Sequence, residues 1–156
     1  MRKRGAHFHR RIDPRASMQA IAMHRPLDAE QKADLGVALR VSLEALRTGR
    51  ATEQEFHTLA ACINVSLVLC ERDIGAEHMP TIKRAQDALL RLWSRGKASG
   101  RWVMDGPGLV SIIEGVDLHE AQLANVARKE AADAMREVRR RIDRGDIFET
   151  QKATHV

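Results

Sequence analysis

The chain has 156 residues, 44% hydrophobic and 30% charged, proportions that suit one folded domain and exclude wholesale disorder. Aromatic residues make up 3%, with no tyrosine, too few for the strands of a β-sandwich or for stacking platforms that grip single-stranded nucleic acid. The net charge is +5, and residues 1–25 alone hold seven basic groups against one acid. The remainder is therefore close to neutral, a body with a cationic leader.

Residues 1–14 show no hydrophobic period and end at Pro14, which predicts a flexible basic arm. Residues 15–149 read as a single helical domain, and residues 150–156 as a frayed tail. Met18, Ile21 and Ala22 have the spacing of a short helix ahead of Pro26. The first long helix opens at Asp28, which can cap free amides while Gln31 reaches back. Leu35, Leu39, Leu43 and Leu46 then mark one face, and Gly49 supplies a left-handed stop.

Thr52 and Glu55 form a second capping box almost at once. Phe56, Leu59, Ile63 and Leu67 give the next helix an inner face, but Val65, Val68, Leu69 and Cys70 spread around the rest. A helix apolar nearly all round is central and buried. Its linker to the preceding helix is short enough for an antiparallel hairpin, and it ends near Gly75. A third helix starts at Pro80, carries Ile82, Ala85, Leu89, Leu92 and Trp93, and stops at Gly96. Residues 97–108 form a glycine-rich connection anchored by Trp102 and Val103.

The last helix is expected over residues 109–144, with Ile112, Val116, Leu123, Val126, Met135, Val138 and Ile142 inward and Gly145 as its stop. At 1.5 Å per residue it would span about 54 Å, wider than so small a domain. Either it breaks near Gly115–Asp117 or its basic half projects. The fold class is thus all-α: a four-helix, mostly antiparallel bundle with a long C-terminal helix and a basic N-terminal arm.

Catalytic constellations are missing. Gly96-Lys97 has no glycine five positions before the lysine, as a phosphate-cradling loop needs. His119-Glu120 begins like a zinc-protease helix, yet Leu123 stands where the second histidine belongs. His7 and His9 lack a supporting cluster. Cys62 and Cys70, eight apart on one helix and about 12 Å along its axis, are beyond disulfide reach of each other and read as inert core thiols. No signal core follows the basic start and no run approaches a membrane span. The expectation is a cytoplasmic protein that is not an enzyme, without metal or cofactor.

Binding residues are easier to nominate. Arg2, Lys3, Arg4, Arg10, Arg11 and Arg15 cluster in the arm, able to follow a phosphate backbone. On the last helix Lys129, Arg136, Arg140 and Arg144 recur at spacings of seven, four and four, with Arg139 and Arg141 beside them. Glu130, Asp133, Glu137 and Asp143 interleave, the pattern of an ordinary solvated helix. Candidate partner contacts are therefore the six arm residues with Arg136, Arg139, Arg140 and Arg141.

Leu59-Ala60 followed by Ile63-Asn64-Val65-Ser66 resembles the core of a bacterial helix-turn-helix. That resemblance implies a turn at Asn64 and a recognition helix after it; Leu67, Val68 and Leu69 depart from the polar residues such a helix presents to bases. A continuous buried helix is the rival reading and the one the pattern favours. The Met-Arg-Lys-Arg-Gly start, the stretch Cys62–Gly75 and Leu118-His119-Glu120-Ala121-Gln122-Leu123 together resemble small uncharacterised helical proteins of prophages and plasmids, some labelled transcriptional regulators. This resemblance implies either a nucleic-acid or nucleoprotein binder, or an anti-CRISPR-like inhibitor or adaptor that blocks a host defence complex. A homodimer through the last helix is compatible with both.

Overall fold

A computed structural model describes residues 28–145; the expected arm, the short helix at 15–25 and the tail from 150 lie outside them. The described residues are all-α, with five helices: α1 Ala29–Arg47, α2 Glu53–Glu71, α3 Met79–Ser99, α4 Gly106–Asn125 and α5 Arg128–Arg144, with a 3-10 turn at Ala76–His78 before α3. Among these residues Ala51 and Trp102 form an isolated antiparallel bridge.

Local chemistry sets the first boundaries. Gln31 donates its backbone N–H to Asp28 Oδ1 at 2.9 Å, and its side-chain oxygen accepts from the Asp28 backbone at 3.3 Å. At the start of α2 the Thr52 hydroxyl accepts from the Gln54 N–H at 3.2 Å, while Glu55 accepts the Thr52 N–H at 2.7 Å. Both boxes satisfy amides that a helix start leaves open. Gly49 takes φ +70° at the turn between them, a conformation that favours glycine.

α2 is the shaft of the molecule, touching every other helix. Residues Cys62–Ser66 and Val68–Cys70 are buried without interruption. The helix runs unbroken through Asn64, so the turn implied by the helix-turn-helix resemblance is not made. Asn64 instead accepts a hydrogen bond from the Gln86 amide of α3 at 3.0 Å. Phe56 meets Trp93 of the same helix at 5.1 Å between ring centroids, so α2 and α3 run in opposite senses. α3 and α4 are also opposed, joined by Arg95–Asp105 at 3.6 Å and Arg84–Glu114 at 3.5 Å.

Two expectations about the later helices are corrected. The glycine at 96 does not stop α3, which continues to Ser99 and ends on Gly100 at φ +69°. Gly96 is where the Trp102 indole lies flat on the helix, close enough that a Cβ would sit 2.5 Å from the ring. The long last helix is two helices, so the count is five rather than four. The break is not at Gly115, which lies inside α4. It falls at Val126 and Ala127, whose extended ψ values of 152° and 151° make a corner. Val126 is buried at that corner, and Glu130 accepts the Ala127 N–H at 3.1 Å. A buried valine and one capping carboxylate do what glycine or proline was expected to do.

Gly115 marks a close approach of α4 to α2 and α3. A Cβ there would lie 2.5 Å from Ile63 Cδ1 and 2.9 Å from Ala85 Cβ, and Ala85 is fixed to its backbone and cannot swing away. Overpacking of this kind costs about 1–3 kcal/mol. Gly115→Ala should lose that much in urea denaturation, while Gly106→Ala, whose Cβ meets nothing within 4 Å, should change stability by less than about 0.5 kcal/mol.

Candidate functional site

α5 is attached to the body along a narrow strip. Ala131, Ala134 and Val138 are its buried residues, and they join Val65, Val68 and Leu69 of α2 and Leu123 and Val126 of α4 in a second apolar cluster. Small side chains on this face let α5 lie close to α2 and leave most of its circumference to solvent. The helix carries seven basic and four acidic residues, whereas residues 28–145 as a whole hold 18 of each.

The predicted arginines divide into two kinds. Arg136, Arg139 and Arg140 are 63%, 78% and 64% exposed and pair within the helix, with Asp133, with Asp143 at 3.5 Å and with Glu137 at 2.8 Å. Exposed pairs of this type are worth about 0–1 kcal/mol, so a phosphate or carboxylate from outside can compete for these guanidiniums. Arg141, only 28% exposed, donates to Glu71 at 2.6 Å and to Glu137 at 3.0 Å. It joins α5 to the end of α2 by a forked contact, and the hydrogen bond from Glu71 holds its pKa above the usual value. Its position makes it a tether between helices. Glu137 faces Arg140, Arg141 and Arg144 together, and the Arg141 hydrogen bond keeps its carboxyl below the usual range.

Met135 and Ile142, expected inward, are exposed on this helix. They stand one turn-face away from the buried strip, beyond the reach of α2, so the surface is cationic with apolar side chains set in it. Arg2, Lys3, Arg4, Arg10, Arg11 and Arg15 lie outside the described residues.

A second feature was not predicted. α1 buries Leu39, Ser42, Leu43 and Leu46 in its second half, but Leu35, on the same face, is 42% exposed. A groove of about 450 Å³ opens there between the first half of α1 and the end of α4, lined by Leu35, Leu39, Leu123, Lys32, His119 and Glu120 among others. Beneath it lies a buried polar layer. Ser66 Oγ and His119 Nδ1 are 3.0 Å apart, and the Gln122 amide donates to the Ile74 carbonyl at 2.8 Å, with the Cys70 sulfur 3.3 Å away. Burial pushes the His119 pKa down to about 4 and the Cys62 and Cys70 thiols up. Buried, protonated thiols are poor nucleophiles. Among the described residues, no three or more His, Cys, Asp or Glu side chains converge as a metal site would require, and no helix is long and apolar enough to cross a membrane.

His119 sets a pH dependence of stability. It is neutral in the folded chain down to about pH 4 and titrates near 6.5 when unfolded, so the unfolded state binds more protons between those values. Stability from this group is complete above pH 6.5 and falls by about 3 kcal/mol as the pH drops to 4. Denaturation midpoints should decline across that window and decline less in His119→Gln. For the tether, Arg141→Ala should destabilise by about 1 kcal/mol, whereas Arg139→Ala should stay within about 0.5 kcal/mol. A double-mutant cycle with Glu71→Ala should assign the difference to the 141–71 pair.

No family model matches the chain, and searches of curated proteins and of solved structures give no match either.

Proposed function

We propose that this chain is a non-enzymatic, cytoplasmic helical binding protein of a mobile element that engages nucleic acid or a nucleoprotein. The basic residues of 1–15 and the outer face of α5 supply the contacts, and α1–α4, an antiparallel bundle in this reading, is their carrier. One observation carries this: Arg136, Arg139 and Arg140 stand exposed on a cationic helix while the described residues outside that helix hold 11 basic against 14 acidic groups. Such contacts follow phosphates and read little sequence.

A second reading is favoured by Met135 and Ile142, exposed among those arginines. Apolar side chains amid charge suit a protein partner better than a phosphate backbone. In that case the protein is an anti-CRISPR-like inhibitor or adaptor bound to a host defence complex, with the arm raising its association rate. A homodimer through α5 would use the same side chains.

Binding to a short DNA duplex and to an RNA of equal length should be measurable at about 50 mM salt and fall steeply by about 200 mM. Substituting Arg136, Arg139 and Arg140 with alanine should reduce the slope of log affinity against log salt by about 2–3, as expected when each lost phosphate contact removes nearly one unit. Removing residues 1–15 should reduce it further. A salt slope untouched by both changes contradicts the nucleic-acid reading. Failure of bare DNA and RNA to bind, with Met135→Glu abolishing capture of one host protein that resists nuclease treatment, would establish the second.

A further inference from the structure

The groove between α1 and α4 contains a cation that no other described residue pairs with. Lys32 is half-buried at its wall yet has no ion pair among the described residues. The other described cations without one, Arg50, Arg72, Lys83, Arg91 and Arg101, are all exposed. Glu120 also lines the groove but is held by Arg40 at 2.7 Å, and Arg40 is shared with Asp117 at 2.9 Å. A bound anion would supply the counterion that the described residues do not give this ammonium.

His119 adds a second polar group. The residue is buried and lines the groove, and its Nδ1 is engaged by Ser66. The Ser66 hydroxyl has no other acceptor among the described residues, so it donates to Nδ1. That fixes the tautomer with the proton on Nε2, leaving an N–H donor with no partner among the described residues. The remaining lining is aliphatic: Leu35, Leu39, Leu123, Ala29 and Ala33, with no aromatic ring for a base or sugar to stack on. The volume falls in the range of small-molecule sites.

We propose that this groove binds an aliphatic monocarboxylate, with its tail on Leu35, Leu39 and Leu123 and its head group between the Lys32 ammonium and the His119 Nε2–H. One fixed cation and one neutral N–H donor match a monoanion. A phosphate would leave most of its oxygens without donors. Glu120, already occupied by Arg40, turns away a second anion and leaves an amine nothing to gain.

The test uses the full chain titrated with sodium octanoate, with octylamine and octanol as controls, following the His119 imidazole resonances by NMR and the heat by calorimetry. The expected result is saturable one-to-one binding with movement of the His119 resonances. Lys32→Ala and Leu35→Glu, both on the outer half of α1, should each weaken it roughly tenfold or more. Octylamine should not bind. Lack of saturation, equal binding of octylamine, or octanoate affinity unchanged in Lys32→Ala would overturn the proposal, whatever the outcome with nucleic acid.

Discussion

The burial of the second half of α2 on every side is the constraint from which the rest of the structure follows. A helix that presents Ile63, Val65, Val68, Leu69 and Cys70 in all directions is stable only when neighbours cover it all round. α1, α3 and α4 do so along its length and α5 covers its last turns. Of the polar groups drawn inside, Asn64 is answered by Gln86 and Ser66 by His119, as burial demands, whereas Gln122 Oε1 has no partner among the described residues. Close approach matters as much as apolar area. Gly115 against Ile63 and Ala85, and Gly96 beneath Trp102, let three helices come within touching distance where any side chain would hold them apart.

Because α2 consumes the apolar faces of its neighbours, recognition chemistry is left to the periphery. α5 shows this most clearly, since three small or branched residues attach it and the Arg141–Glu71 fork fixes its far end. Everything else on that helix is free to be charged. The groove beside α1 has the same origin. α1 buries Leu39, Ser42, Leu43 and Leu46 in its second half, while Leu35 in its first half faces the groove across from the end of α4.

Much of the fold was legible because its signals are local. The capping boxes at Asp28 and Thr52, the stop at Gly49 and the all-round apolar α2 are written in neighbouring residues. The corner at Val126–Ala127 was not, because no glycine or proline marks it; Asn125 and Glu130 were its faint signs. Gly96 and Gly115 were read as conformational breaks when their role is close packing, which depends on what stands opposite and not on the helix itself. Of the site, the exposed arginines of α5 were recognisable from their spacing. The tethering role of Arg141 was not, since Glu71 is seventy residues away. Leu35, Met135 and Ile142 kept the period of core residues yet lie beyond the neighbours that would have covered them. The groove lined by Lys32 arises from how the first half of α1 and the end of α4 face each other, which local sequence does not record.

The central claim is that a bundle built around α2 displays the cationic α5, with the basic residues of 1–15, to an anionic partner. Backbone amide chemical shifts recorded with and without a short DNA duplex at low salt address it most directly. The account predicts that perturbations concentrate on residues 129–144 around Arg136, Arg139 and Arg140 and on residues 2–15, with α2 and α3 unmoved. Perturbations centred on α1 or α3, or spectra unchanged by saturating duplex, would contradict it.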